Sequence, residues 1–514
     1  MGRSSRNKKR NQDHLEELRV SGLRNSIFAL VAFFMTGCMV GPDFQRPDAP
    51  QTSRYTESPL ARETVSSPGV AGAAQRFVDG ADLPAQWWSL YRSEPLDRLI
   101  REGLADSPTL DAARATLRQA QENLTAQTGA LLYPAVDANA SATREKLSNA
   151  AFNQSGATPP FNLYNASVNV SYMLDIFGGN RRQLESLAAV VDFQSYQLEG
   201  AHLTLTGNIV TAAIREAGLR AQIQSTREIL DAEHETIRRV ARQFELGGVG
   251  RLELVAQQAL AAQTEATLPP LENQLAQTRH LLAVLTGKLP SETAVPEFKL
   301  DTLHLPEEIP VSVPSELVRQ RPDIRASEAL LHQASAQIGV ATAELYPKVT
   351  LTASFGAQSN QLHSLFAGPS LWSLGAGLLQ PLFHGGELEA NRRAAIDAYE
   401  AAQAQYRDTV LQAFRNVADA LRVLEGDART VKAQTEAEAL ARDRLELTRK
   451  QYQLGGTSYI ALLDAQRQYN LAQFALVLAQ ADRFADTAAL FQALGGGWWK
   501  PDNAASAQEH QNTN

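Results

Sequence analysis

The stretch Arg242-Gln-Phe-Glu-Leu-Gly-Gly248 recurs as Lys450-Gln-Tyr-Gln-Leu-Gly-Gly456, 208 residues further along when Gly247 is matched with Gly455. Two more matches lie upstream and keep the same order in both copies: Leu132-Tyr-Pro134 with Leu345-Tyr-Pro347, and Phe177-Gly-Gly179 with His384-Gly-Gly386. Matches that keep their order at a nearly constant spacing indicate a repeated structural unit. The sequence therefore predicts two copies of one unit of about 200 residues.

Each copy contains two stretches in which apolar and polar residues alternate. Such a period of two is typical of a strand with one apolar and one polar face. It predicts strand pairs at 133–147 and 162–177 in the first copy, and at 347–358 and 370–382 in the second. One interpretation is a four-stranded sheet packed on helices. The other is a set of membrane strands, because the apolar faces carry aromatic residues near their ends, as lipid-facing strands do at the membrane interfaces. These residues are Tyr164, Tyr172 and Trp372.

Four strands per chain are too few for a closed membrane barrel, which needs about eight. If these strands span a membrane, several chains must pool them. Two chains would supply eight strands, and a barrel of that size is filled by side chains. Three chains would supply twelve strands, which could leave a channel, so a trimer is the smallest workable assembly if the protein conducts.

The remaining sequence predicts long helices. Segments 180–246 and 387–454 contain no proline and are rich in good helix formers such as Ala, Leu, Gln, Arg and Glu. Leu-Gly-Gly closes each segment and is a helix C-cap signal, so each helix is expected to turn into a second one. The predicted helices thus cover 180–286 and 387–494. The residues thus predict a mixed fold built from a tandem structural repeat: a rod of antiparallel helices with coiled-coil packing that carries the strands at one end.

The N-terminus has the pattern of a secretory signal. A basic segment precedes nine apolar residues, Ile27 to Met35, and then Thr36-Gly37-Cys38. Nine residues are too few for a membrane-spanning helix, which needs about 20. The alternative is a short buried helix with an incidental thiol. The predicted organisation is a signal peptide at 1–37, an extended segment at 38–95, a first repeat at 96–300, a linker at 301–320, a second repeat at 321–497 and a disordered tail at 498–514.

Several function classes are disfavoured by composition. A net charge of −8 gives no basic surface for nucleic acid. The histidines are scattered, and Gly247-Gly-Val-Gly250 follows a helix instead of the strand that a dinucleotide loop requires. No nucleophile–base pattern stands out. We expect no metal, no cofactor other than a covalent lipid, and no enzyme activity.

Met35-Thr-Gly-Cys38 resembles the bacterial lipobox, which implies that Cys38 becomes the first mature residue and carries lipid. Further motifs resemble the TolC-like outer-membrane efflux channels, specifically the lipoprotein branch of resistance–nodulation–division systems. They are Cys38-Met-Val-Gly-Pro-Asp-Phe-Gln-Arg-Pro47, Trp87-Trp-Ser-Leu-Tyr91, Arg321-Pro-Asp-Ile-Arg-Ala-Ser-Glu328, Leu382-Phe-His-Gly-Gly386 and Ala493-Leu-Gly-Gly-Gly-Trp498. The resemblance covers nearly the whole mature chain.

This resemblance implies a mixed fold class, in which a twelve-stranded membrane β-barrel of a homotrimer continues into a long antiparallel α-helical barrel with an equatorial collar that includes 38–95 and 301–320. The homotrimer would be a duct in the cell outer membrane, lipid-anchored on the periplasmic side and spanning the periplasm. Its expected partners are a periplasmic adaptor protein, an inner-membrane proton-driven pump and outer-membrane lipids. The Leu-Gly-Gly turns would be the periplasmic tips where the adaptor docks. The glycines concerned are Gly247, Gly248, Gly455 and Gly456.

The resemblance also implies a gate. Ile460, Asp464 and Arg467 stand at i, i+4 and i+7, so they share one helix face. They lie in the motif in which the family carries its aperture-closing residues. On spacing alone, Asp464 and Arg467 would be an exposed i,i+3 pair contributing roughly 0.2–0.5 kcal/mol.

The predicted function is passive efflux of drugs or other small toxic compounds through a duct of a tripartite pump. One alternative is the outer-membrane duct of an ATP-driven, type I protein secretion system. A second is an envelope spacer of coiled-coil helices that conducts nothing.

Overall fold

The computed structural model describes residues 39–146, 159–292 and 295–499. The predicted signal peptide, Cys38 and residues 500–514 lie outside the described residues. The chain divides into two compact units. The sheet unit comprises Met1–Arg46, Arg118–Asp192 and Glu328–Ala404, and the helix unit comprises Pro47–Leu117, Phe193–Ser327 and Gln405–Asn514. Each unit combines segments from both predicted repeats, so the repeat boundaries at 96–300 and 321–497 stay a prediction.

Helices form most of the described chain. In chain order they are α1 (Glu94–Asp106), α2 (Pro108–Leu132), α3 (Gly179–Glu245), α4 (Arg251–Glu265), α5 (Leu268–Leu285), α6 (Pro314–Gln320), α7 (Pro322–Ala343), α8 (Glu387–Gln453) and α9 (Tyr459–Ala493). Both α3 and α8 have 67 residues. Among the described residues, no helix combines the length and the apolarity needed to cross a bilayer.

The second helix of the first repeat departs from the prediction of one helix over about 250–286. It is broken into α4 and α5 at Ala266 and Thr267. Pro269 and Pro270 follow the break, and proline has no N–H to donate to the carbonyl four residues earlier. Proline is tolerated in the first turn of a helix, which is where α5 carries this pair. The prolines therefore end one helix and begin the next.

The sheet unit contains four antiparallel strands at the predicted places. They are β2 (Ala135–Glu145), β3 (Phe161–Leu174), β5 (Lys348–Ser359) and β6 (Leu371–Leu379), hydrogen-bonded in the order β2-β3-β5-β6. Two short parallel strands, β1 (Arg76–Asp79) and β4 (Glu308–Val311), belong to the helix unit.

The register of the four-stranded sheet separates apolar from polar residues. One row across the apolar face is Ala138, Val168, Phe355 and Trp372. The adjacent row on the opposite face is Asp137, Asn169, Ser354 and Ser373. Within the described residues, β2 and β6 each have one edge without a strand neighbour. Such edges present unpaired N–H and C=O groups, which bind a further strand readily.

The helix unit has an aromatic core around α9. Trp87, Tyr91, Phe484 and Phe491 are buried, and the Tyr91 hydroxyl donates to the Phe484 carbonyl at 2.9 Å. The chain after α9 is ordered to Trp499 in part of the predicted disordered tail. Trp498 Nε1 donates to the Gln320 carbonyl at 2.6 Å. The prediction of disorder from 498 onward is therefore wrong for Trp498, because its indole finds both packing and a hydrogen-bond partner.

Candidate functional site

The two Leu-Gly-Gly turns of the helix unit have the same backbone hydrogen bonds. Gly248 N donates to Gln243 O at 2.8 Å, and Gly247 N donates to Phe244 O at 3.0 Å. The second turn repeats both bonds, from Gly456 to Gln451 at 2.8 Å and from Gly455 to Tyr452 at 3.0 Å. This pair of bonds is the Schellman motif, which satisfies the last carbonyls of a helix. The sequence repeat thus encodes one helix-ending geometry twice.

The first glycine of each turn has a left-handed backbone. The φ angles are +75° at Gly247 and +74° at Gly455, a region that residues with a Cβ atom adopt at a cost. No heavy atom lies within 4 Å of a Cβ built on either residue. Glycine is therefore required here by the backbone conformation and not by crowding.

Large apolar side chains are exposed around the turns. The exposed fractions are 79% for Leu246, 88% for Leu454, 73% for Leu252 and 71% for Ile460. Soluble surfaces carry single exposed apolar residues commonly, whereas a group of them indicates a contact surface. The turns are thus suited to bind another apolar surface.

The predicted gate residues begin α9, directly after the second turn. Asp464 accepts from two arginines: Oδ2 from Arg444 Nη2 at 2.7 Å and Oδ1 from Arg467 Nη2 at 3.4 Å. Helices α3 and α4, joined by the first turn, form the first hairpin, and α8 and α9, joined by the second turn, form the second hairpin. Arg444 lies on α8, so the carboxylate joins the two helices of the second hairpin. The side chains of all three residues are 40–61% exposed. Solvent screening at such exposure keeps the contribution of each pair to stability small, about 1 kcal/mol or less.

A buried core lies behind the turns. It contains Val240 of α3, Leu445 of α8, and Tyr459, Leu462 and Ala465 of α9. The Tyr459 hydroxyl donates to Gln257 Oε1 of α4 at 2.7 Å. Burial raises the pKa of Tyr459 well above its usual range, so this hydroxyl remains a donor at neutral pH. Both hairpins contribute to this core.

The remaining predicted site residues lie in the sheet unit. Tyr172 faces Leu351 across β3 and β5, and Trp372 faces Phe355 across β5 and β6. Tyr164 lies near the N-terminal end of β3, where it is paired with Ala142 of β2. Trp372 is 73% exposed. The aromatic residues therefore share the apolar face of the sheet, while the lipid prediction at Cys38 stays a prediction.

Arg444 donates a hydrogen bond to Asp464 that was not predicted from the sequence. The two residues lie 20 positions apart, across the second turn. The hairpin at Gly455 and Gly456 places the start of α9 beside the end of α8, which limits the candidate partners to charged residues there. Arg444 lies 11 residues before Gly455 and Asp464 lies 8 residues after Gly456, so counting equal distances from the turn does not identify this pair.

Comparison with known proteins gives one consistent result. The sequence model of the outer membrane efflux protein family matches residues 99–288 and 313–496. The pyoverdine export outer membrane protein OpmQ of Pseudomonas aeruginosa is 32% identical over 424 residues, 82% of this chain and 89% of OpmQ. The toluene efflux pump outer membrane protein TtgC of Pseudomonas putida is 29% identical over 483 residues, 93% of this chain and 97% of TtgC.

Solved structures agree with the sequence comparison. The outer-membrane channel OprN superposes with a TM-score of 0.81 at 26% identity, over 90% of this chain and all of the OprN chain. The MtrE outer membrane channel of Neisseria gonorrhoeae gives 0.77 at 27% identity, over 90% of this chain and 99% of that chain. The predicted fold class and outer-membrane location are confirmed. The chain belongs to the outer membrane efflux protein family.

Proposed function

We propose that this protein is the outer-membrane exit duct of a tripartite efflux pump and passively conducts drugs or other small toxic compounds from the periplasm to the exterior. The four-stranded sheet carries the proposal, because it has one apolar face, one polar face and two open edges. Three copies joined edge to edge would close a twelve-stranded barrel with the apolar face toward lipid and the polar face toward a channel. An envelope spacer has no need of such a sheet.

Small compounds are favoured over proteins as cargo. The relatives OpmQ and TtgC are named for pyoverdine export and toluene efflux. Selection of the compound and supply of energy would rest with an inner-membrane proton-driven pump. A periplasmic adaptor would bind the exposed apolar residues around Gly247, Gly248, Gly455 and Gly456. A lipid on Cys38 would anchor the chain on the periplasmic side.

The duct would be closed at the second turn. In a homotrimer, three copies of Ile460 would form an apolar constriction around the axis. Asp464 would hold the two helices of the hairpin together through Arg444 and Arg467. Loss of the carboxylate would leave Arg444 and Arg467 to repel each other, because both keep their charge. The closed arrangement would therefore be less stable without Asp464.

Planar-bilayer conductance of the purified native oligomer tests both the duct and its gate. We expect small, rarely open currents from the wild type and longer openings from Asp464→Ala and Arg444→Ala. Arg415→Ala is a matched control, because Arg415 also forms an exposed ion pair on α8, with Asp419.

The outcomes separate the hypotheses. No current from a correctly sized oligomer of the wild type and of Asp464→Ala would contradict the duct and favour the spacer. Wild-type current that is the same in Asp464→Ala and Arg444→Ala would keep the duct and remove the proposed gate. An equal rise in Arg415→Ala would assign the effect to surface charge in general.

A further inference from the structure

A carboxyl group is buried between the two hairpins of the helix unit. Glu233 of α3 has no exposed surface, and its Oε1 accepts two hydrogen bonds. The donors are Thr264 Oγ1 of α4 and Asn470 Nδ2 of α9, each at 3.2 Å. Both donors are themselves buried. These three residues, here named the Glu233 cluster, join α9 to both helices of the first hairpin.

The Glu233 cluster is incompletely satisfied. Glu233 Oε2 is buried and has no hydrogen-bond partner among the described residues. Burial raises the pKa of Glu233, while the hydrogen bonds from Thr264 and Asn470 and the nearby His234 lower it in part. A carboxyl group that is buried with one oxygen unpaired keeps part of its desolvation cost. An entirely apolar contact of the same shape would hold these helices without that cost, so fold stability alone does not require a carboxyl group at this position.

A second buried polar contact joins the same elements nearer the turn. Tyr459 of α9 donates to Gln257 of α4, and the buried Gln257 Nε2 has no partner within the part of the chain that the structure describes. Residues 257 and 264 are seven positions apart on α4, and 459 and 470 are eleven apart on α9. Both spacings return to the same helix face. The two contacts are thus successive layers of one seam between α9 and the first hairpin.

The same helix α9 carries the proposed gate residues Ile460, Asp464 and Arg467. We propose that Glu233 is a positioning residue for the aperture, and that the Glu233 cluster holds α9 against the first hairpin in the closed arrangement. This inference rests on the proposed gated duct. Hydrogen bonds of 3.2 Å lie at the long end of the normal range. They hold α9 in place, and the free energy needed to break them is small. The free Oε2 of Glu233 and Nε2 of Gln257 offer alternative partners once α9 has shifted.

The experiment compares the open probability of reconstituted full-chain oligomers in planar bilayers. Asn470→Leu and Thr264→Val each remove one donor while nearly keeping the side-chain volume. Loss of one hydrogen bond is expected to raise the open probability about threefold to tenfold. Glu233→Met, which removes the acceptor for both, should raise it at least as far. Glu233→Gln keeps a carbonyl acceptor and should restore most of the closed fraction.

Thr278→Val is the matched control. Thr278 of α5 is also a buried threonine, but the one hydrogen bond of its hydroxyl among the described residues goes to Gln274 O of its own helix, at 2.8 Å. The open probability of the Thr278→Val oligomer should equal that of the wild type. The thermal unfolding midpoint of each oligomer is measured in parallel. A positioning role predicts that Thr264→Val opens the channel while its midpoint falls no further than that of Thr278→Val, because each variant loses one hydroxyl hydrogen bond.

Unchanged open probability in Asn470→Leu, Thr264→Val and Glu233→Met would overturn the inference. So would an increase that only follows a fall in the unfolding midpoint. If Glu233→Met fails to assemble, Thr264→Val decides, because valine and threonine have the same shape. If the open probability rose in Asp464→Ala but not in the variants of the Glu233 cluster, the proposed gate would stand and only this inference would be contradicted. A wild-type oligomer without any current would instead count against the proposed function.

Discussion

Arg483 shows how one residue can hold a long extended segment. It is fully buried on α9 and donates to the carbonyls of Ala71 at 2.6 Å and Ala73 at 2.8 Å. It also donates to Thr64 Oγ1 at 3.0 Å and Gln75 Oε1 at 3.4 Å. Burial lowers the pKa of Arg483 to about 10, so the guanidinium remains charged at neutral pH. Its charge-assisted bonds thus fix residues 64–75 against α9.

Arg483→Met is expected to release this segment. The substitution keeps much of the side-chain volume but leaves several buried acceptors without a donor, at a cost of about 3–5 kcal/mol. Thermal unfolding would measure the loss, and limited proteolysis would show new cleavage within residues 64–75. Arg98→Met is the control, because Arg98 forms only an exposed pair with Glu94 and its loss should cost within about 0.5 kcal/mol. Equal effects in the two variants would contradict this role.

Asp427 makes stability depend on pH. Burial and the carboxylates of Asp486 and Asp482 raise its pKa to about 7, with partial compensation from Arg483. Because this pKa is raised above the unfolded value of about 3.8, the folded protein binds more protons between about pH 4 and pH 7. The free energy of unfolding therefore falls as pH rises through this window.

Asp427→Asn should remove this part of the pH dependence. The variant is expected to match the wild type near pH 4 and to be more stable above pH 7, by about 1 kcal/mol after allowance for solvent screening. Thermal unfolding at about pH 4.5, 6 and 8 would measure it, because the first two values lie within the window and the third lies above it. Asp419→Asn is the control on the same helix, because Asp419 is exposed. If the difference in unfolding midpoint between the wild type and Asp427→Asn were the same at all three pH values, the assignment would be refuted.

At the end of each long helix, only the first of the two glycines has a left-handed backbone, at Gly247 and Gly455. Gly247→Ala places a Cβ on a left-handed backbone in open space, so backbone strain is its only cost, about 1 kcal/mol. Gly248→Ala is a matched control, because the left-handed φ belongs to Gly247 and a Cβ at 248 meets only Gln243 O at 3.4 Å. Thermal unfolding should show a lower midpoint for the first variant and little change for the second. The reverse order would contradict the Schellman assignment.

Local patterns in the sequence predicted the elements well. Alternation located β2, β3, β5 and β6, and the repeated Leu-Gly-Gly located the ends of α3 and α8. The break before Pro269 was missed, because the helix formers around it outweighed two prolines in the interpretation. The contacts of Arg483 could not have been predicted, since they join residues about 410 positions apart and leave no local pattern. The same holds for Glu233 and Asn470, which lie 237 positions apart.

At the scale of the whole molecule, one chain leaves its sheet incomplete. Pairing in register puts Val168, Phe355 and Trp372 in one apolar row, which would face water if the sheet stood alone. The edges of β2 and β6 have no strand neighbour among the described residues. Edge-to-edge assembly of three copies would satisfy the edges, and a membrane would cover the apolar face. The two faces of β3 therefore offer a direct test of this arrangement.

Val168→Arg and Ser167→Arg place the same charge on opposite faces of β3, one residue apart and near the middle of the strand. If the apolar face meets lipid, Arg at 168 costs about 2–4 kcal/mol of membrane stability, whereas Arg at 167 enters the aqueous channel at little cost. Heat-modifiable mobility of the oligomer extracted from outer membranes would measure assembly. We expect a large loss of oligomer for Val168→Arg and near wild-type amounts for Ser167→Arg. Because the two variants share strand, depth and charge, equal amounts of oligomer would contradict a lipid-facing sheet, and loss from Ser167→Arg alone would place the lumen on the other face.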